Sequence, residues 1–232
     1  NTDLHLVMPT LKNKINTWIF DLDNTLYSAD SGIFQQVHTL MGKFVSAHLN
    51  IDIKKAKELQ RKYYRQHGTT LRGLMDNHNV DPDHFLSEVH QLDYSIVGPN
   101  FKLNRELKKL KGRKIIYTNA NRQHANDILI RLELTNVFDE IFDIKTANYI
   151  PKPEASPYEQ IISEFNIDPI TTIMFDDIAK NLVPAKNVGF ASVWIDVGYE
   201  NFSDDIAKSK KYLDYETKDL SLFLDEVNKE KI

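Results

Sequence analysis

A short apolar segment that runs directly into two acids constrains this chain more than any other feature. Trp18, Ile19 and Phe20 are apolar, and Asp21 and Asp23 follow at once. A strand that is apolar on both faces is buried, and burying carboxylates is costly unless something offsets the cost. Because ligands bind beyond the carboxyl ends of strands in open α/β sheets, we expect Asp21 and Asp23 to border a binding site.

Length and composition restrict the class of protein. A chain of 232 residues, 41% hydrophobic and 27% charged, suits one large α/β domain or a main domain with a small second one. The net charge of -4 gives no global attraction for nucleic acid polymers or anionic membranes, and it leaves local basic patches open. The absence of cysteine excludes disulfides, thiolate zinc sites and cysteine nucleophiles.

The sequence also predicts where the protein acts and in what form. No apolar run approaches the roughly 20 residues of a membrane helix. The segment Asn1 to Lys14 lacks the apolar stretch of a signal peptide. We therefore expect a cytoplasmic protein without membrane contact, either a monomer or a homodimer.

A run of helices follows the first strand. Apolar residues at helical spacing predict four helices, over Gly32–Leu49, Lys54–Gln66, Leu71–His78 and Asp83–His90. No strand-like pattern interrupts them. The sequence therefore predicts a main domain of residues 1–27 and 101–232, with an all-helical cap of residues 28–100 inserted after the first strand.

The rest of the chain alternates between strands and helices, which is typical of a doubly wound parallel sheet. Further strands are predicted at Lys114–Thr118, Glu140–Ile144, Thr172–Phe175 and Ala191–Ile195. Between the third and fourth strands, Ser156, Pro157 and Glu159 match a capping box and predict a helix with Ser156 as its N-cap.

Polar residues mark the ends of these strands. Thr118 and Asn119 end the second strand, Asp176 and Asp177 follow the fourth, and Lys152 lies in a proline-flanked loop. Such acids would repel one another without a cation, and a site made of oxygen ligands favours Mg²⁺, which also accepts phosphate oxygens. The set predicts phosphoryl chemistry.

These residues resemble the four signatures of the haloacid dehalogenase superfamily, in order and over the whole chain. The signatures are the Asp-x-Asp-x-Thr of residues 21–25, Thr118, Lys152 and the Asp176–Asp177 pair. The helical insert resembles the cap of that superfamily. Within it, residues 63–74 and 89–93 are similar to the pyrimidine 5′-nucleotidase-like branch.

The resemblance implies a role for each catalytic residue. Asp21 would be the nucleophile that carries an aspartyl-phosphate, and Asp23 would protonate the leaving oxygen and then activate water. Thr118 and Lys152 would bind the transferring phosphoryl oxygens. Asp23 also favours a phosphatase, because dehalogenase members lack a second acid at this position.

The same resemblance implies an Mg²⁺ site. Mg²⁺ would be bound by Asp21, by the backbone carbonyl of Asp23 and by Asp177, with Asp176 mainly in support of the ligands.

Three further residues are candidates for substrate binding. Asn119 could bind substrate or cap the helix that follows it. Arg72 and His67 of the insert are polar enough to contact a substrate, although most such residues lie at the surface or are satisfied in the core.

The predicted substrate is a small phosphomonoester, most of all a nucleoside 5′-monophosphate with pyrimidine preferred. Alternatives with the same chemistry are a sugar phosphate, phosphoglycolate and pyridoxal phosphate. Two other functions remain open: a non-enzymatic receiver-like module with a long-lived phosphorylated Asp21, and a mutase that transfers the phosphoryl group to another sugar hydroxyl.

Overall fold

A computed structural model describes residues 10–198 and 203–232 of the chain. The six strands of the described residues are β1 Thr17–Phe20, β2 Arg113–Tyr117, β3 Glu140–Phe142, β4 Thr172–Asp176, β5 Ala191–Ile195 and β6 Tyr215–Thr217. They form one parallel sheet in the order β3-β2-β1-β4-β5-β6. The chain builds outward from β1 to one side and then, starting at β4, to the other. This is the predicted doubly wound arrangement, and β1 and β4 meet where the winding changes direction.

Helices surround this sheet and fill the insert. They are α1 Leu11–Lys14, α2 Ile33–Leu49, α3 Ile53–His67, α4 Thr70–His78, α5 Pro82–Val89, α6 Phe101–Lys109, α7 Arg122–Arg131, α8 Ser156–Phe165, α9 Leu182–Asn187, α10 Ser203–Ser209 and α11 Leu220–Asn228. Among the residues that the structure describes, no helix has both the length and the apolar character to cross a membrane. The prediction that Asn1 to Lys14 contains no signal peptide falls mostly on residues 1–9, which lie outside the described residues.

The central strands are buried on both faces, as their composition predicts. In β1, Trp18 and Phe20 belong to the hydrophobic cluster on one face of the sheet, and Ile19 belongs to the cluster on the other. The Phe20 ring stacks on that of Phe175 in β4, with centroids 4.6 Å apart. This packing fixes the strand that immediately precedes Asp21.

Helices α2 to α5 pack around a hydrophobic cluster of their own. Its buried members include Val45, Leu74 and Phe85, and Ile144 from the sheet side of the molecule joins them. A side chain at Gly73 would place its Cβ 2.3 Å from the Tyr63 ring, so the glycine lets α4 approach α3 closely. An apolar centre shared by four helices is what the helical periodicity predicts.

Two sequence predictions were wrong in detail. The capping box at Ser156 does not form, because α8 already includes Ser156 and its N-cap is Ala155, which makes no side-chain cap bond. The strand β6 was missed. It has three residues and lies beside β5 at one edge of the sheet that the described residues form. Its residues are partly or fully exposed, so it lacks the apolar run that identified the other strands.

Candidate active site

The carboxyl ends of three neighbouring strands bring the predicted polar residues together. Strand β1 lies between β2 and β4. Asp21 follows β1, Thr118 follows β2, Asp176 ends β4 and Asp177 comes next. The backbone N–H of Asp21 donates to the carbonyl of Phe175 at 2.9 Å, so backbone pairing extends to the first acid. The position of Asp21 is therefore set by the sheet itself.

Lys152 supplies a buried positive charge to this site. Its Nζ donates to Asp21 Oδ1 and to Asp176 Oδ2, both at 2.7 Å, and to the carbonyl of Tyr117 at 3.0 Å. Burial alone would lower the pKa of Lys152, but the carboxylates of Asp176 and Asp21 outweigh it and the pKa is raised. Lys152 is therefore an ammonium ion with a fixed position.

Two residues after β2 hold this arrangement. The Asn119 side chain accepts from the backbone N–H of Lys152 at 2.8 Å and donates to the Lys152 carbonyl at 3.4 Å. Asn119 does not cap the following helix, because the N-cap of α7 is Asn121. Thr118 is buried and accepts from the N–H of Ala120 at 3.0 Å. This leaves the hydroxyl hydrogen of Thr118 able to donate to a ligand.

The two adjacent acids at the end of β4 have different surroundings. Asp176 is fully buried and accepts from Lys152 and from the backbone N–H of Ile178 at 2.8 Å. Its two oxygens also accept from Nδ2 of Asn181, at 3.0 and 3.2 Å. The Thr25 hydroxyl lies between two acids, 3.4 Å from Asp177 Oδ1 and 3.2 Å from Asp21 Oδ2. Donors occupy both oxygens of Asp176, which makes it a poor direct ligand for a metal ion.

The carboxylates form a cluster with excess negative charge. Asp21, Asp176 and Asp177 each offer an oxygen, and these three atoms lie within 4.8 Å of one another. Burial raises the pKa of Asp21, and the charges of Asp176 and Asp23 add to this effect. The charge of Lys152 opposes it without cancelling it. One ammonium does not balance these acids, and a divalent cation with a preference for oxygen ligands would. The donor set therefore fits Mg²⁺.

Asp23 lies beside this cluster in a different environment. Its Oδ1 accepts from the Tyr27 hydroxyl at 2.5 Å and from Nε2 of His124 at 2.7 Å. Burial acts to raise the pKa of Asp23, but His124 and Tyr27 outweigh that effect and lower the pKa to about 2. Asp23 is therefore a carboxylate at neutral pH.

Sequence reasoning missed His124 altogether. It lies in the first turn of α7 and is 1% exposed, next to the buried Ala125 and close to Ile128 on the same face. Its ring stacks on that of His90 with centroids 4.5 Å apart. A polar residue on the apolar face of a helix that begins at the carboxyl end of a strand was the available signal, and it was not used.

The two candidate residues of the insert, Arg72 and His67, both pair with Asp76. Nη2 of Arg72 lies 2.9 Å from Asp76 Oδ1, and Nδ1 of His67 lies 3.1 Å from Asp76 Oδ2. All three side chains are partly exposed to solvent. In this arrangement, the charge of Arg72 is paired with that of Asp76.

Other residues of the insert lie closer to the acids. Gly68 has a positive φ of 81°, and a Cβ on it would lie 3.4 Å from the carbonyl of Lys152. Nζ of Lys180, in the turn after β4, lies 5.3 Å from the ring centroid of Tyr64. Burial, Asp177 and Asp176 raise the pKa of Tyr64. The end of α3 and the turn after it therefore cover the strand-end site.

A model of the haloacid dehalogenase-like hydrolases matches residues 15–189. This chain belongs to that family. The match contains all four signatures and the whole helical insert, so the resemblance found in the sequence is confirmed at the level of the family.

Two curated relatives have names that refer to phosphate. The chain is 26% identical over 194 residues to phosphate metabolism protein 8 of Saccharomyces cerevisiae, covering 76% of this chain and 60% of that protein. It is 23% identical over 221 residues to glyceraldehyde 3-phosphate phosphatase of Methanocaldococcus jannaschii, covering 89% and 94%. The chain thus spans about three-fifths of the length of the yeast relative and almost all of the archaeal one.

A solved structure shares the fold. The HAD-hydrolase YfnB of Bacillus subtilis, crystallised with magnesium, superposes with a TM-score of 0.61 at 15% identity, covering 92% of this chain and 99% of YfnB. At this identity the likeness shows the fold alone. The expected fold class, a parallel Rossmann-like sheet of the haloacid dehalogenase type, is confirmed.

Proposed function

We propose that the protein is an Mg²⁺-dependent phosphomonoesterase that works through an aspartyl-phosphate on Asp21. The observation that carries the proposal is the contact between Lys152 Nζ and Asp21 Oδ1 at 2.7 Å, inside a cluster of strand-end acids. The phosphatase named among the relatives supports the same reaction class. The substrate would be a small cytoplasmic phosphomonoester, handled by a monomer or a homodimer.

In the first half of the reaction, a carboxylate oxygen of Asp21 attacks phosphorus. The new O–P bond forms as the bond from phosphorus to the leaving oxygen breaks, and Asp23 supplies the proton that the leaving alkoxide needs. Asp23 is ionised in the structure. A phosphoryl dianion beside it would raise its pKa, and this favours the protonated form that the step requires.

In the second half, the carboxylate of Asp23 takes a proton from water while the water oxygen attacks phosphorus. The bond between Asp21 and phosphorus breaks, and inorganic phosphate leaves. In both halves the ammonium of Lys152 and the hydroxyl of Thr118 would bind oxygens of the transferring group, where negative charge is greatest. Asn119 would keep Lys152 in position through its backbone.

The residues that would hold Mg²⁺ are Asp21, Asp177 and the backbone carbonyl of Asp23. When bound, the ion supplies positive charge that lowers the repulsion between the nucleophile and the phosphate. Asp176 would act indirectly, because its oxygens already accept bonds from Lys152, Ile178 and Asn181.

For the substrate we propose a nucleoside 5′-monophosphate, with pyrimidine preferred, selected by residues 28–100 acting as a cap. The similarity of residues 63–74 and 89–93 to the nucleotidase branch supports this choice. Tyr64 covers the site with an aromatic ring that a base could stack on. The archaeal relative favours a second candidate, a triose phosphate, because that protein is named for glyceraldehyde 3-phosphate.

The reaction class is tested with the purified protein and a panel of phosphomonoesters, with Mg²⁺ and with a chelator. Asp21→Asn removes the nucleophile, and the matched control Asp30→Asn makes the same change at an exposed position a few residues later. We expect turnover that needs Mg²⁺, survives in the control and falls by at least about a thousandfold in Asp21→Asn. Turnover in Asp21→Asn close to that of the wild type would contradict the proposal.

The same panel tests the substrate. We expect kcat/KM for pyrimidine 5′-monophosphates to exceed that for purine nucleotides, triose phosphates, phosphoglycolate and pyridoxal phosphate by at least about tenfold. A preference for triose phosphates would replace the first candidate with the second. Product analysis in isotopically labelled water separates hydrolysis from transfer to another hydroxyl, because only hydrolysis places the label in phosphate.

A further inference from the structure

A chain of hydrogen bonds connects Asp23 to the segment that leads back from the helical insert. Nε2 of His124 lies 2.7 Å from Asp23 Oδ1, and Nδ1 of the same ring lies 2.9 Å from the Tyr94 hydroxyl. Tyr94 begins a short 3₁₀ turn, Tyr94–Ile96, that contacts α7. No part of the reaction described above requires His124 or Tyr94.

The contact with Asp23 determines where one hydrogen atom lies. The ionised Asp23 carboxylate only accepts, so the Nε2 of His124 carries the hydrogen. The Tyr94 hydroxyl lies 2.9 Å from Nδ1 of His124 and 3.3 Å from the carbonyl oxygen of His90. Tyr94 thus holds the second ring nitrogen of the imidazole that donates to Asp23.

The imidazole is also fixed sterically. His124 is 1% exposed, its backbone N–H donates to the N-cap Asn121 at 2.9 Å, and the His90 ring stacks on its ring at an angle of 18°. Burial and the stacked His90 ring restrict rotation of the imidazole. It can therefore set the position of the carboxylate that it contacts.

The two donors to Asp23 select one of its oxygens. Tyr27 and His124 both donate to Oδ1. Neither of these two contacts involves Oδ2. The Asp23 side chain is 30% exposed. Clamping Oδ1 from two sides orients Oδ2 as the oxygen that can exchange a proton with the leaving group and with water.

We infer that His124 is a positioning residue for the acid–base function of Asp23, with Tyr94 holding the His124 ring in place. The inference rests on the proposed function, since it assigns a role within the same reaction. His124 does not contact the reacting atoms; it acts through the orientation of one carboxylate.

The experiment compares His124→Phe, which keeps a ring but removes both nitrogens, with His124→Gln, which keeps a side-chain N–H. Two phosphomonoesters are used: p-nitrophenyl phosphate, whose leaving group needs no proton, and an alkyl phosphate, whose leaving group does. For His124→Phe we expect kcat on the alkyl phosphate to fall about tenfold to a hundredfold, with KM changed less than about threefold.

The p-nitrophenyl phosphate assay separates the two halves of the reaction. In His124→Phe the initial burst of p-nitrophenol should keep its rate while the steady-state rate falls, because only the second half then needs Asp23. His124→Gln should recover most of the loss, and Tyr94→Phe should show the same pattern at about threefold to tenfold. Thermal unfolding of each variant checks that it is folded.

Three outcomes would overturn the inference. They are kinetics of His124→Phe like those of the wild type, an equal loss for both leaving groups and for the burst, and a loss confined to KM. If His124→Phe does not fold, Tyr94→Phe and His124→Gln carry the same test. A wild type that hydrolyses no phosphomonoester would refute the proposed function instead. Crystal structures would then still decide the positioning claim, through one Asp23 rotamer in the wild type and several in His124→Phe.

Discussion

The catalytic candidates of the strand-end site pair across long stretches of the sequence, whereas the candidates Arg72 and His67 of the helical insert pair with a residue nearby. At the strand ends, Lys152 reaches Asp21 across 131 positions of sequence, and His124 reaches Asp23 across 101. In the insert, Arg72 contacts Asp76 four positions away. Two further pairs in the insert, His67–Asp76 and Tyr63–His78, are 9 and 15 positions apart.

This contrast indicates which residues of the fold can change without loss of the reaction. Long-range contacts at the strand ends are imposed by the order of the sheet, so the residues there can change little without loss of the reaction. The pairs named for the insert lie within one helix or between the consecutive helices α3 and α4, so the insert can vary while the strand-end site stays the same.

Lys152→Met should have the largest effect. The change leaves Asp21 and Asp176 buried without their shared cation, and we expect a loss of about 3 kcal/mol in the free energy of unfolding at neutral pH. Activity should fall at least about a thousandfold. Stability is measured by urea unfolding, and part of it should return at acidic pH because protonation of the two carboxyls removes the repulsion.

The matched control Lys145→Met, at an exposed lysine, should change neither stability nor activity strongly. Near-normal activity in Lys152→Met would show that the strand ends tolerate change as the insert does.

The two adjacent acids should separate metal binding from structure. Asp177→Asn should weaken the dependence on Mg²⁺ by at least about tenfold, with activity partly restored at high Mg²⁺. Asp176→Asn should mainly lower stability, because it disturbs the bonds from Lys152, Ile178 and Asn181. Activity is measured against Mg²⁺ concentration and stability by urea unfolding. The reverse result would exchange the roles of the two residues.

Asp23 should give the protein a pH-dependent contribution to stability. Its folded pKa of about 2 lies below the ordinary 3.8, so the ionised form is favoured by folding. The contribution is complete above the ordinary value and is lost as the pH falls through about 2. Because 30% of the side chain is exposed and solvent screens the pair, we expect about 1 kcal/mol. Urea unfolding of metal-free wild type and Asp23→Asn checks this. A stability difference that does not shrink between pH 5 and pH 2.5 would contradict it.

Arg72→Ala should have the smallest effect on the chemistry. The exposed pair with Asp76 contributes at most about 0.5 kcal/mol to stability. The kcat for p-nitrophenyl phosphate should change less than about twofold, and any effect should appear in the KM of larger substrates. Steady-state kinetics with both kinds of substrate test this. A large fall in kcat for p-nitrophenyl phosphate would place Arg72 in the reaction and weaken the contrast between the two regions.

The contrast also explains what the sequence could predict. Strand β1 and the acids after it follow from an apolar run that ends abruptly, and the parallel sheet then brings Thr118 and Asp176 to the same edge. His124 could not be found in this way, because its partner Asp23 is near only in the fold. The strand β6 was missed since three partly exposed residues carry no clear pattern.

The insert was predicted less completely than the sheet. Its helices follow from apolar periodicity, and their bounds agree within a few residues. Which side chains point at the strand ends does not follow, because a helix directs neighbouring residues to different faces. Tyr63 is buried within the insert and Tyr64 covers the site, although the two are adjacent in the sequence.

Detection of the covalent intermediate tests the central claim most directly. Wild-type protein with Mg²⁺ is mixed with p-nitrophenyl phosphate, quenched in acid within the first turnover and mapped by mass spectrometry of its peptides. We predict that one phosphoryl group is found on the peptide that contains Asp21, and that it is absent from Asp21→Asn. Rapid turnover without a phosphorylated peptide, or a phosphoryl group on another residue, would contradict the account.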